Sequence, residues 1–239
     1  MIIDWIIAII LILSPIVFSV IDYILSKRKK EVPPPKNLLK YYLLGNIELF
    51  VLAVILVLLN FGLLIPDFSS IDKGIFISED IVITTIMIFL VPFFLAFLPT
   101  DINFPKNNIQ DAKVIFGFET ALMPKTFFQV IPFAGFLIIG VVLEELIFRQ
   151  FMFASFSSTL GIEGDLLVLF TAFLFAIGHF YQGAAGMFFS FLLGLATGKM
   201  YLLTENIMVP IFMHLCVTLT VVVYAVRRMI LLRRLEKRG

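Results

Sequence analysis

Cysteine, histidine and charged residues are all scarce in this sequence of 239 residues. The single cysteine, Cys216, excludes an internal disulfide bond and any metal site built from several cysteines. Charged residues make up 15% of the chain, against about 25% in soluble domains, and 61% of the residues are hydrophobic. The net charge of +1 argues against nucleic-acid binding through an overall electrostatic field. The composition therefore predicts an all-α, polytopic transmembrane helical bundle.

The apolar residues fall into long runs, and a helix needs about 20 such residues to cross a bilayer. Seven runs are predicted as spans: 2–25, 41–65, 81–98, 131–156, 166–180, 184–203 and 207–226. The first run lacks a basic leading segment and a small-residue cleavage site, so we interpret it as an anchor and not as a signal peptide. Segment 113–128 is amphipathic and is predicted to lie at the membrane surface. Glycines in the sixth span are predicted to allow close helix packing: Gly186, Gly194 and Gly198.

The basic residues predict the orientation of the bundle, because Lys and Arg are enriched in cytoplasmic loops. With seven spans, all but three of the 18 basic residues fall on one side; the exceptions are Lys73, Arg149 and Lys199. We therefore expect the N-terminus outside and the C-terminus inside. On this basis residues 1–130 form N-terminal membrane helices and a cytoplasmic amphipathic segment, and residues 131–239 form a helical core with a basic C-terminal tail.

The fourth predicted span contains three charged residues, Glu144, Glu145 and Arg149. Each costs about 2.5–3.5 kcal/mol at the centre of an inserted helix, so the three need partners or a function. Glu145 and Arg149 are four residues apart, share a helix face and can neutralise each other. Glu144 points elsewhere. The spacing therefore predicts a structural ion pair and one carboxylate that is available for chemistry.

The two histidines of the chain, His179 and His214, both lie in predicted spans. A rise of about 1.5 Å per residue puts Glu144 and His179 roughly 21 Å below the outer ends of their spans, and His214 roughly 12 Å below its own. Helix tilt can absorb that difference. Taken alone, each histidine is as consistent with a hydrogen-bonded packing residue as with a functional one. Thr218, one turn after His214, can donate its hydroxyl hydrogen to a carbonyl of its own helix. Taken together, the three ionisable groups predict one buried site.

A carboxylate beside an imidazole can deprotonate water for attack on an amide or an ester. Two histidines and one glutamate are also the ligand set of one class of catalytic zinc site. A divalent metal such as Zn²⁺ on Glu144, His179 and His214 is thus a candidate cofactor, and a mechanism without metal stays open. Both routes predict hydrolysis by water within the membrane. The spans contain no Gly-x-Ser-Gly motif, no His-Glu-x-x-His motif and no pair of aspartates.

Three motifs in order resemble those of the CAAX protease and bacteriocin-processing (CPBP, Abi) intramembrane proteases. That family carries Glu-Glu-x-x-x-Arg, Phe-x-x-x-His and His-x-x-x-Asn on successive membrane helices. This chain has Glu144-Glu145-Leu-Ile-Phe-Arg149, Phe175-Ala-Ile-Gly-His179 and His214-Leu-Cys-Val-Thr218. The resemblance covers roughly residues 135–223, and the first three spans carry no family motif. It implies an endopeptidase in a bacterial cell membrane, acting on a membrane-associated peptide or protein.

The resemblance also implies roles for the motif residues. Glu144 would be the general base or a metal ligand with His179 as its partner, and His214 would bind metal or polarise the substrate carbonyl. Glu145 and Arg149 complete the first motif, and Thr218 replaces an Asn that is thought to help stabilise the oxyanion. Family members are described both as metalloproteases and as glutamate proteases without metal.

Two other functions fit the same sequence. The first alternative is a non-catalytic membrane interaction protein, or a bacteriocin-immunity protein, on the same fold. A transporter that relays protons through Glu144 and the histidines is the second. It would be expected to have two related halves with discontinuous helices, and no such internal repeat is visible.

Overall fold

The computed structural model describes residues 2–28, 38–44, 46–59, 114–115, 118–119 and 123–236, and these are almost entirely helical. The helices are α1 (Ile2–Arg28), α2 (Leu38–Leu44), α3 (Ile47–Leu59), α4 (Phe127–Glu145), α5 (Met152–Leu160), α6 (Gly164–Gly178), α7 (Gly183–Thr204) and α8 (Met208–Glu236). A π-helical segment, Leu146–Phe151, joins α4 to α5, and a 3-10 turn, Phe180–Gln182, joins α6 to α7. The predicted all-α class is confirmed for the described residues, whereas predicted span 81–98 lies outside them.

The described part of the amphipathic segment that precedes the fourth span contains two short strands. Strands β1 (Val114–Ile115) and β2 (Phe118–Glu119) pair antiparallel, as β-branched residues at the start of the segment favour. Helix α4 starts only at Phe127. There the side-chain Oε1 of Gln129 accepts hydrogen bonds from the backbone N–H groups of Lys125 and Thr126, at 2.8 and 3.2 Å. The surface location of this segment remains a prediction.

Within the part of the chain that the structure describes, three helices are long and apolar enough to cross a membrane: Phe127–Leu160, Gly186–Thr204 and Met208–Arg234. Two shorter apolar helices, Asp4–Val17 and Gly164–Gly178, accompany them. The first long helix includes the π-helical segment and ends at Gly161, whose φ of +65° forms a left-handed helix cap. The number of seven spans and the orientation of the bundle remain predictions.

Helices α6 and α7 pack closely through glycine. A Cβ atom added at Gly194 would lie 3.0 Å from the Cα of Ala172, and one at Gly198 would lie 3.2 Å from Val168 Cγ1. Close helix packing is therefore confirmed at these two positions. At the buried Gly186 the three atoms nearest to an added Cβ belong to Gln182, one turn earlier in the chain, and close packing against another helix stays a prediction there.

The main core cluster joins the first helix to the later ones. Ile7 and Leu11 of α1 are buried in one cluster with Phe151, Phe156 and Phe175. Helix α8 packs against α4 and α7, and α2 and α3 pack against α4. The site described next lies where α4, α6, α7 and α8 meet. The predicted domain boundary at residue 130 remains a prediction.

Candidate active site

The structure brings the predicted ionisable residues together from three helices. Glu144 lies at the end of α4, His179 caps the C-terminus of α6, and His214 lies two turns into α8. Glu144 Oε1 is 4.0 Å from His179 Nε2, and Glu144 Oε2 is 3.9 Å from His214 Nε2. The helices are therefore arranged so that these three residues meet, although the depths counted from the sequence differ. What these residues do chemically remains a prediction.

Both imidazole rings are oriented through their Nδ1 atoms. His179 Nδ1 is 2.8 Å from the carbonyl oxygen of Phe175, which can only accept, so this nitrogen carries the hydrogen. His214 Nδ1 is 2.7 Å from Glu145 Oε1 and likewise donates. With both Nδ1 atoms engaged, both Nε2 atoms face the Glu144 carboxylate.

The predicted Glu145–Arg149 pair is present and completely buried. Arg149 Nε lies 3.0 Å from Glu145 Oε2, although its N–H is not aligned for a hydrogen bond. The other carboxylate oxygen of Glu145 holds His214, so Glu145 bridges a buried cation and a site imidazole. The spacing of four residues predicted the first of these contacts and not the second.

The π-helical segment follows Glu145 directly and contains Arg149. At its end the Met152 N–H bonds to the carbonyl of Ile147, five residues back. Such a turn holds more residues than an α-helical turn and occurs frequently at functional sites. No feature of the apolar pattern around residues 146–151 indicates it.

The ring of Phe175 packs against three polar side chains of the site. Its ring centroid lies 4.5 Å from that of His179 and 5.9 Å from that of His214. The guanidinium carbon of Arg149 lies 4.9 Å from the same ring centroid, as in a cation–π contact. Phe175 is fully buried, and its ring is shared by these three contacts.

Thr218 is half-buried one turn after His214. Its hydroxyl makes no hydrogen bond to any other residue within the described part of the chain, so bonding to its own helix is not observed there. The hydroxyl of Thr220, by contrast, donates to the carbonyl of Val217 at 2.6 Å. Thr218 is therefore placed near His214 without a backbone acceptor of its own.

The site contains the kinds of side chain that bind zinc, but the distances between their ligand atoms are longer than those of a tetrahedral zinc site. Ligands about 2.0–2.1 Å from a tetrahedral Zn²⁺ lie about 3.4 Å from one another. Glu144 stands 4.0 and 3.9 Å from the two imidazole nitrogens. Within the described residues, no group of three His, Cys, Asp or Glu side chains is arranged to hold a metal ion. This arrangement does not fit a bound metal, and we derive no step through one.

Comparison with known proteins yields one family. Residues 126–220 match the family model described as "Type II CAAX prenyl endopeptidase Rce1-like". Comparison with curated proteins and with solved structures gave no match. The matched segment contains all three motifs. Together with the three apolar helices, it indicates an integral membrane protein.

The family supports a CAAX-type intramembrane endopeptidase in general, and therefore protease activity. The resemblance predicted from the motifs is confirmed for this part of the chain. Over residues 126–220, the protein matches the Rce1-like family of type II CAAX prenyl endopeptidases.

Proposed function

We propose that this protein is an intramembrane endopeptidase in which Glu144 activates a water molecule to hydrolyse a peptide bond. The observation that carries the proposal is the Glu144 carboxylate, which faces the Nε2 atoms of His179 and His214 at 4.0 and 3.9 Å. Its side chain is 21% exposed, whereas that of Glu145 is fully buried. Glu144 is thus the carboxylate that a substrate and a water molecule can reach.

The separation between Glu144 and His179 suits a bridging water molecule. It exceeds the range of about 2.7–3.2 Å for a direct hydrogen bond, while a water about 2.8 Å from each atom spans it. A neutral His179 with its hydrogen on Nδ1 presents an acceptor at Nε2, and an ionised Glu144 presents another. One water molecule can donate to both, which orients its oxygen for attack.

His214 fits a different role: in the proposed mechanism it carries a hydrogen on each ring nitrogen, and its Nδ1–H donates to the buried Glu145 carboxylate at 2.7 Å. Its Nε2–H would then point into the site as a donor. In this state two carboxylates are balanced by Arg149 and the His214 imidazolium. A buried site with cancelling charges avoids much of the cost of an unpaired ion.

The proposed reaction has two steps. Glu144 takes a proton from the water as its oxygen bonds to the scissile carbonyl carbon, and the developing oxyanion accepts hydrogen bonds from His214 and Thr218. The protonated Glu144 then gives its proton to the leaving nitrogen as the C–N bond breaks. The products are a carboxylic acid and an amine, which become a carboxylate and an ammonium group by proton transfer, and Glu144 is ionised again.

The proposed substrate class is taken from the family description, which names a CAAX prenyl endopeptidase. We propose a prenylated, C-terminal CAAX tail as the first substrate to test, followed by other membrane-associated peptides. We also propose a multi-pass location in a bacterial cell membrane with the predicted seven spans.

The test uses the purified full chain in liposomes with a farnesylated CAAX peptide and its unprenylated counterpart, with products identified by mass spectrometry. The wild type should cleave, and Glu144→Ala should not. Glu163→Ala is the matched control, because Glu163 is an exposed carboxylate in the turn before α6. If membrane peptides bind without cleavage, or if Glu144→Ala cleaves normally, the proposal is wrong. Binding without cleavage favours the non-catalytic interaction protein.

Metal dependence needs its own measurement. Metal analysis of the purified wild type, Glu144→Gln and His179→Ala should show no stoichiometric metal, and activity should survive a chelator. One metal per chain that is lost in both variants would establish a metalloprotease instead.

A further inference from the structure

Arg149 is held from outside its own helix by α7. Its guanidinium is 1% exposed, and Nη2 donates to the carbonyl of Gly194 at 3.3 Å and to the hydroxyl of Thr197. Within the described residues, Nη1 has no hydrogen-bond partner. The polar contacts that fix this buried cation are therefore Glu145 on one side and two groups of α7 on the other.

Thr197 is connected to His214 by a series of polar contacts. Its fully buried hydroxyl donates to the carbonyl of Leu193 at 2.8 Å, which leaves its lone pairs for the Arg149 N–H. Arg149 pairs with Glu145, and Glu145 accepts from His214 Nδ1 at 2.7 Å. Thr197 is thus connected to the site imidazole through two charged groups, although it belongs to none of the three motifs.

We propose that Thr197 is a positioning residue for His214. By fixing the guanidinium of Arg149 it fixes the Glu145 carboxylate, and the carboxylate sets the ring orientation and the Nδ1–H of His214. The physical reason is the unpaired donor that its removal would create. A buried guanidinium that loses an acceptor turns toward another one, and the carboxylate that it pairs with follows. The catalytic consequence rests on the proposed function, whereas the structural consequence does not.

Thr171 provides a matched control. It is 2% exposed on α6, and among the described residues its hydroxyl bonds only to carbonyls of its own helix, Leu167 at 2.9 Å and Val168 at 3.2 Å. Thr171→Val therefore makes the same change of hydroxyl to methyl and leaves the polar contacts between Thr197 and His214 intact. Thr197→Ser keeps a hydroxyl at the proposed position and should restore what Thr197→Val removes.

Because the chain has only two histidines, nuclear magnetic resonance with ¹⁵N-labelled histidine can follow each ring in micelles. A His179→Ala variant assigns the two sets of resonances. Thr197→Val should move or broaden the Nδ1 resonance of His214 and leave His179 unchanged. Thr197→Ser and Thr171→Val should leave both rings as in the wild type. If Thr197→Val fails to fold, Thr197→Ala compared with Thr197→Ser provides the same contrast.

Kinetics give the second readout on the same variants. Thr197→Val should lower kcat by about 10- to 100-fold with KM unchanged, as expected for a displaced catalytic group. A His214 resonance that is unchanged in Thr197→Val, or one that Thr171→Val moves equally, would overturn the proposal. If the resonance moves but the wild type cleaves no peptide, the positioning role stands and the proposed function fails.

Discussion

At the scale of single residues, two adjacent glutamates occupy different surroundings. Glu145 is fully buried between Arg149 and His214, whereas Glu144 keeps 21% of its side chain exposed and faces both imidazoles. Successive residues on a helix point about 100° apart, so neighbours reach different environments. One carboxylate is held in place by its partners, and the other is available to bind water.

The Glu145–Arg149 pair leads to a prediction about stability. Arg149→Ala leaves a buried carboxylate without its cation and should cost about 3–5 kcal/mol, seen as a lower folded yield on size-exclusion chromatography. Adding Glu145→Gln should restore part of that yield, because the unpaired charge is gone. It should not restore turnover, because Glu145 also orients His214. An Arg149→Ala protein that folds normally but is inactive would place Arg149 in the chemistry instead.

Thr218 leads to a second prediction. Its hydroxyl and the His214 ring are one turn apart, and removal of one oxyanion donor typically lowers turnover by about 10²–10³-fold. Thr218→Val should therefore lose turnover with little change in thermal midpoint, and Thr218→Asn should keep or raise turnover. If Val retains full turnover while Asn destabilises the fold, Thr218 is a packing residue.

Much of the candidate site was predictable from residues that are local in the sequence. The spacing of Glu145 and Arg149 predicted their contact, and the presence of Glu144 and the two histidines within apolar spans predicted that they converge. The contacts from Glu145 to His214 and from Arg149 to Thr197 were not predictable. They depend on which faces of distant helices meet, and periodicity within one helix carries no such information.

At the scale of the elements, the π-helical segment Leu146–Phe151 was not predictable. Four of its six residues are apolar, as in the α-helices on either side, so the composition does not indicate the wider turn. Glu145 and Arg149, which are four residues apart, still form an ion pair across this segment, with Nε and Oε2 separated by 3.0 Å.

The close packing of α6 and α7 gives a prediction at this scale. In Gly194→Ala the new Cβ would stand 3.0 Å from the backbone Cα of Ala172, so α7 must move away from α6. Overpacking of this kind costs about 1–3 kcal/mol and would lower the thermal midpoint in detergent. The control is Gly135→Ala on α4, where an added Cβ has nothing within 4 Å. Equal midpoints for the two variants would contradict the tight contact.

For the whole molecule, one contact bears on orientation. Arg233 near the end of α8 donates to the carbonyl of Lys125 at 3.2 Å, and its guanidinium carbon lies 5.3 Å from the Phe127 ring centroid. The start of α4 and the end of α8 therefore lie at the same end of the bundle. Both ends carry basic residues, as expected if that end faces the cytoplasm.

The predicted orientation can be tested with reporter fusions. A fluorescent protein at the C-terminus should fluoresce, because it folds in the cytoplasm, and an alkaline phosphatase at the same place should be inactive. The same reporters at the N-terminus should give the opposite result if the chain has seven spans. Matching results at both ends would show that the number of spans is even.

The helical class of the whole molecule was predictable because the apolar runs are long and their composition is far from that of a soluble domain. The ends of the helices were less predictable. The fourth predicted span, 131–156, is part of a helix that runs from Phe127 to Leu160, because polar residues such as Ser157 and Ser158 continue it until Gly161. Hydropathy reports the apolar part of a helix, and capping residues determine where it ends.

The central claim is that Glu144 activates the water that cleaves the substrate. The most direct test compares kcat for the wild type, Glu144→Gln and the exposed control Glu163→Gln, with equal thermal midpoints confirmed first. A general base typically contributes about 10²–10⁴-fold, so Glu144→Gln should lose at least about 10²-fold in kcat while Glu163→Gln matches the wild type. A folded Glu144→Gln protein with wild-type kcat would contradict the account.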